Sequence, residues 1–308
     1  MIASDESHTV ELTGLDGSNP LAFLAALGTL RVLSERCQPE RVQMIWRLVS
    51  GKWTPVVIAP VADCEDLVEA LWDSLSREDE CPWNIDKKLP FSARKFRETT
   101  LKAASMTSSL DRTAADKLAA LGSDVVLEWD ANFPDTAFRM VRSGDAAGQG
   151  MLDYALKIKQ HTTVEDIREA LLGKWQYSAR GPSLRWDPLE AREYALLASD
   201  PSKGGVLSVI GANRLALQAL PLFPTCPSGA AVATVGFRRQ RRESELTWPL
   251  WNVSLTLDVV RSLLTHPILH EETPSPRDLR AMGVAAVYRS TQYKPNQYYL
   301  NFAPARSV

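Results

Sequence analysis

Arg238, Arg239, Arg241 and Arg242 fall within five residues of one another. Guanidinium groups form paired hydrogen bonds with phosphate oxygens, and this run lies between two β-rich stretches, 232–239 and 246–251. The placement suits a phosphate clamp on a loop; a solubilising hairpin tip explains the same run. Nearer the C-terminus, Arg289, Tyr293, Lys294, Asn296, Tyr298 and Tyr299 combine cations, stacking rings and base-edge hydrogen-bonding groups, the blend used by single-strand binders. Core tyrosines at strand ends are the plainer account. Lys87, Lys88, Arg94, Lys95 and Arg97 make a third basic cluster, which an ordinary solvated face also explains.

Catalytic signatures are sparse. The chain lacks the Gly-x4-Gly-Lys-Ser/Thr phosphate loop, the Gly-x-Gly-x-x-Gly turn and the Gly-x-Ser-x-Gly nucleophile elbow. Gly51-Lys52 and Gly173-Lys174 read as turns. His266 and His270 have the four-residue spacing that sets two imidazoles on one helix face for zinc. Pro267 interrupts them and no third ligand follows at a regular spacing, so they read as solvent-exposed histidines at a helix end. Asp187 with Glu190 can in principle do acid/base or metal work. Capping of a helix over 188–198 is the plainer role for Asp187, which stands just before Pro188. No cofactor and no enzymatic activity are expected.

The composition, 45% hydrophobic and 23% charged over 308 residues, is that of a globular chain with a substantial core. A formal net charge of −2 gives no global attraction to nucleic acid, so any such surface must come from local segregation of charge. The charge is segregated: Asp63 to Glu80 holds eight acids against Arg77, and Lys87 to Lys117 holds eight bases against three acids. Cys37, Cys64, Cys81 and Cys226 show no Cys-x-x-Cys spacing, and no basic-then-apolar leader opens the chain, so reduced thiols and a cytoplasmic location are expected. No apolar run approaches membrane-spanning length. Nine tryptophans point to large buried anchors.

The run Gly14-Leu15-Asp16-Gly17-Ser18-Asn19-Pro20, leading into a Leu/Ala-rich helix, resembles the N-terminus of CRISPR-associated proteins of the type I-G (formerly I-U) systems. Three later segments extend the resemblance: 183–202 (SLRWDPLEAREYALLASDPS), 211–224 (GANRLALQALPLFP), and 247–251 (TWPLW) with 296–302 (NQYYLNF). The chain is similar to the helicase-nuclease-extension or large-subunit-like proteins of that system. The resemblance implies a non-catalytic subunit of an antiviral interference complex of the Cascade kind. Its partners would be other effector subunits, guide RNA or target DNA, with the helicase-nuclease a further candidate. In such systems guide pairing reads sequence, while protein subunits contact backbone and a short flanking motif. A protein-only adaptor between the helicase-nuclease and the surveillance complex is the alternative, and a cryptic nuclease a more distant one.

The elements that would carry these residues read as α+β, with short antiparallel strands and helices somewhat predominant. Asn19 and Pro20 mark a helix start, and from Leu21 to Leu33 only Thr29 and Arg31 are polar, so this helix must be buried on most faces. Gly28 within it implies another backbone packed close by. Residues 42–48 and 53–59 predict a hairpin around Ser50-Gly51-Lys52. Helices are expected over 63–78, 99–121, 151–160, 164–172 with Thr163 as cap, 211–220 and 257–264. Strands are expected over 123–129, 175–177, 284–289 and 298–302, and the tail after Pro304 is expected to be loose. The small-residue loop 144–150 is the best candidate boundary between two α+β domains, 1–145 and 151–308, and a single large domain is the alternative.

Overall fold

The computed structural model describes residues 7–108, 111–126, 131–140, 148, 150–177, 179–190, 207–240, 243–294 and 300–308. In chain order its elements are β1 (His8–Glu11), α1 (Pro20–Arg36), β2 (Gln43–Val49), β3 (Lys52–Ala59), α2 (Cys64–Ser76), α3 (Ala93–Met106), α4 (Thr113–Leu121), α5 (Met151–His161) and α6 (Val164–Leu172). There follow β4 (Ala179–Arg180), β5 (Leu207–Ser208), α7 (Ile210–Ala219), β6 (Thr225–Ser228), β7 (Ala231–Thr234), β8 (Phe237–Gln240) and β9 (Glu243–Trp251). The last are β10 (Leu255–Thr256), α8 (Leu257–Leu264), α9 (Pro276–Ala281), β11 (Val284–Tyr293), β12 (Asn301–Phe302) and β13 (Arg306–Ser307). The fold is α+β with antiparallel sheets and more helix than strand. No helix among the described residues is long and apolar enough to cross a membrane.

α1 is the axis of the molecule. Asn19 caps it by accepting from the amides of Leu21 at 2.8 Å and Ala22 at 3.3 Å, and every residue from Pro20 to Ser34 is buried. α7 lies across it and is buried throughout. A Cβ added to Gly28 would fall on the Leu215 carbonyl oxygen, so the two helices meet backbone to backbone.

The turn before α1 has its own logic. Asp16 Oδ1 accepts from the Ser18 amide and hydroxyl, while Gly17 lies where a Cβ would enter the Trp46 ring.

Two sheets pack against α1. The first has the order β1-β3-β2-β10, and its β2–β3 hairpin turns at Ser50 and Gly51, both with positive φ as a tight two-residue turn requires. The second has the order β12-β11-β9-β8, with β13 also paired to β11. Phe23 of α1 stacks on Trp46 of the first sheet at 6.0 Å and tilts against Trp248 of the second at 5.8 Å; Trp251 meets Trp46 edge-on. The indole N–H of Trp248 donates to Gly17 O and that of Trp251 to Met44 O.

The core therefore runs across the expected 145–151 boundary. α1 packs on α7, β10 pairs with β2, and tryptophans from the C-terminal half bond to the N-terminal half. The two-domain division has no break in this core to match it.

Several local expectations need correction. The helix expected over 99–121 is two helices: Ser108 and Asp111 bond to one another through amide, carbonyl and hydroxyl, and Asp111 Oδ1 accepts from the Thr113 amide. Short polar side chains there compete with the helical ladder. Ser123 is irregular and residues 124–126 form bends rather than a strand, and 127–129 lie outside the described residues.

Trp175 and Gln176 bond back to α6 through Ala170 O and Glu169, so 175–177 is irregular rather than a strand. Of the helix expected over 188–198, Pro188–Glu190 is a 3-10 turn and the remainder lies outside the described residues. The tail is not loose: Arg306 and Ser307 pair with Arg289 and Tyr288, and the Val308 amide donates to Val287 O.

Candidate nucleic-acid interface

β8 and β9 form a hairpin whose register sets Arg238 opposite Glu245 and Arg239 opposite Ser244. β11 lies on the other side of β9, and its last residue, Tyr293, is followed by Lys294. Arg238, Arg239, Tyr293 and Lys294 line one open groove of about 690 Å³. Arg239 and Lys294 are exposed, and Tyr293 is 37% exposed.

Phe237 and Gln292 also line the groove, and Gln292 is held by donation to Ala137 O at 2.6 Å. Asp135 and Glu243 contribute negative charge to the same lining, with Asp135 paired to Arg139 at 3.1 Å. Cations and a partly exposed ring thus share one open surface, with the Gln292 amide fixed beneath it.

The two described arginines of the run, Arg238 and Arg239, have different surroundings. Arg238 is half-buried; its Nε donates to Glu245 at 2.6 Å and its Nη1 to His270 O. Arg239 projects into solvent. Arg241, Arg242, Asn296 and Tyr299 lie outside the described residues.

Arg289 is corrected from a binding residue to a structural one. It is 1% exposed, and its guanidinium donates to the carbonyls of Leu269, Glu271 and Glu272, tying β11 to the turn at Pro267–His270. No face of it remains for a phosphate.

Glu245, which the sequence gives no reason to single out, anchors this wall. Buried to 1% exposure, it receives Arg238 and Arg306 and lies 4.0 Å from Arg289. Its place opposite an arginine in a hairpin register is the one signal that could have revealed it.

His266 and His270 sit at the two ends of the same 3-10 turn. His270 is half-buried rather than exposed, and burial first, then Arg289 and Arg238, lower its pKa. Among the described residues no group of three His, Cys, Asp or Glu side chains is placed to hold a metal.

The third basic cluster lies apart from the groove. Lys87 and Lys88 are exposed; Arg94, Lys95 and Arg97 pair with Glu98, Asp86 and Asp124. Exposed pairs of this kind are weak, so these cations keep most of their solvation.

The acid pair lies in a different place again. Asp187 Oδ1 accepts from Asn19 Nδ2 at 2.8 Å and from the Leu189 amide at 2.9 Å, while Oδ2 accepts from Tyr177 at 2.7 Å. Glu190 accepts from Ser183, and Asn213 Oδ1 accepts from the Leu184 amide at 3.2 Å. The turn before α1 and the segments beginning at 183 and 211 therefore meet in one buried polar knot. Tyr177 and Arg185, both non-glycine residues at positive φ, flank it. Burial, then the neighbouring Asp187, pushes the Glu190 carboxyl up to about 8.

No family model, curated protein or solved structure matches this chain.

Proposed function

We propose that the chain is a non-catalytic subunit of a type I-G CRISPR antiviral interference system. In this reading it holds a single-stranded stretch of guide RNA or target DNA in the groove between the β8–β9 hairpin and the end of β11, and docks on other effector subunits in the cytoplasm. One observation carries the nucleic-acid part: two basic and aromatic clusters, far apart in sequence, line a common groove through Arg239, Tyr293 and Lys294. The assignment to the system rests on the N-terminal turn and the three later segments.

The experiment is a salt titration of binding to labelled single-stranded RNA and DNA. Removing two phosphate contacts by Arg239→Ala with Lys294→Ala should reduce the slope of log K against log salt by about 1.4, since each single-strand contact contributes about 0.7. Tyr293→Ala should cost about 1–3 kcal/mol of affinity, the range for lost base stacking, with an unchanged Tm. Equal affinity and slope in all variants would remove the groove from the proposal.

The adaptor reading is favoured by the net charge of −2. It expects no salt-dependent binding by the wild-type protein, and copurification with the helicase-nuclease in the absence of guide RNA.

A further inference from the structure

Among the described residues β1 is an outer strand of the first sheet, paired on one side only, with β3. The Leu12 amide donates to Pro55 O at 2.9 Å, and the register sets Val10 opposite Val57 and His8 opposite Ala59. In an antiparallel ladder alternate residues share their N–H and C=O with one neighbour, so His8, Val10 and Leu12 bond towards β3, and Thr9 and Glu11 direct theirs outward. The outer edge carries no proline and no bulge of the sort that protects open edges.

An open groove of about 740 Å³ runs along this edge. Thr9 and Glu11 line it on one side, and Ala62, Asp63, Cys64 and Leu172 on the others. The charged groups of its lining are Glu11 and Asp63, with no lysine or arginine. Glu11 shares Arg47 at 3.3 Å, a half-exposed pair that an incoming cation can replace. Asp63 caps α2 through Oδ1, which accepts from Glu65 and Asp66, and its Oδ2 remains open.

We propose that the β1 edge is a docking site for an extended segment of a partner protein that adds to the sheet as a further strand. The partner's main chain would bond to the N–H and C=O of Thr9 and Glu11, its apolar side chains would reach Ala62 and Leu172, and a lysine or arginine would meet Glu11 and Asp63. The site is remote in composition from the basic groove and does not depend on the nucleic-acid reading.

The probe is a fluorescein-labelled peptide of alternating lysine and valine, with a glutamate–valine peptide as its counterpart. Saturable binding of the lysine peptide to the full chain is expected, with slowed hydrogen exchange at the Thr9 and Glu11 amides. Thr9→Pro removes an outward N–H without touching the β3 ladder, a place where a strand tolerates proline. It should weaken binding about tenfold at unchanged Tm, and Glu11→Lys should reverse the preference between the two peptides.

The proposal is overturned if both variants bind like the wild type. It also fails if the Thr9 and Glu11 amides of the free protein exchange as slowly as that of Val10, since the chain then covers its own edge. Protection that rises with protein concentration alone would assign the edge to a second copy and overturn it too.

Discussion

Glu190 is a carboxylic acid held where a carboxylate is disfavoured. Asp187 beside it has three donors, whereas Glu190 is fully buried with Ser183 on one oxygen and Asn213 as its other polar neighbour. The proton of the pair therefore belongs to Glu190 near neutral pH. Its carboxyl is raised from 4.5 to about 8 on folding, so the folded protein binds more protons than the unfolded chain between those values. Stability from this group is complete below about 4.5, falls as pH rises towards 8, and is flat above it. Asp187, raised by burial as well, acts in the same direction. The expected difference is on the order of a few kcal/mol between pH 5 and 9. Glu190→Gln copies the protonated form, so its Tm should decline less over that range and exceed the wild-type Tm at pH 9. Parallel Tm profiles for the two proteins would show that Glu190 is ionised in the fold.

The same scale marks the limit of what sequence reveals about a site. The cations and rings of the groove were legible as residue types, but not Arg289, because its burial comes from a turn 17 to 20 residues earlier in the chain. Nor was it legible that Arg239 and Lys294 share a groove, since β9 must first pair with both β8 and β11.

At the scale of elements, α1 and α7 are joined by close backbone approach at Gly28 and Leu215, with one specific bond from Arg31 Nη1 to Gln218 O at 3.2 Å. Gly28 makes this testable by sign. In an ordinary helix interior Gly→Ala stabilises by up to about 1 kcal/mol, because alanine loses less backbone freedom. Here the new methyl would meet the Leu215 carbonyl, and such overpacking costs about 1–3 kcal/mol. Gly28→Ala should therefore lower the urea midpoint, and an increase would show that the helices separate easily.

Elements with local signals were legible: the Asn19–Pro20 start, the Ser50–Gly51 hairpin, and the Thr163 cap with its reciprocal Asp166 bond. Elements defined by distant partners were not. The tail is ordered by β11, and the charged knot of Lys117, Glu78 and Arg214, with Gln218, is buried where α4, α7 and the end of α2 converge. Burial first, then the neighbouring arginines, holds the Lys117 amine well below its usual range. In the sequence Lys117 is one more base in the run from Lys87 to Lys117.

For the whole molecule, the question is whether the chain is one cooperative unit or two. A helix that is apolar on nearly every face cannot be solvated alone, and α1 obtains its cover from α7, from Trp46 of the first sheet and from Trp248 of the second. The cover comes from both sides of residue 150. A fragment of residues 1–145 would expose α1 along the line where α7 lies, and a fragment of 151–308 would expose α7 and leave the Trp248 and Trp251 indole N–H groups without Gly17 O and Met44 O. Unpaired buried donors and uncovered apolar surface are each costly on the scale of a domain's net stability. Expressed separately, both fragments should be insoluble or lack a cooperative melting transition; expressed together, they should copurify and melt as one. The intact chain should show a single transition with coincident near-ultraviolet and far-ultraviolet circular dichroism curves. A soluble 1–145 fragment with its own sharp transition would restore the two-domain division, and would mean that the α1–α7 contact is an interface between domains instead of the centre of one core.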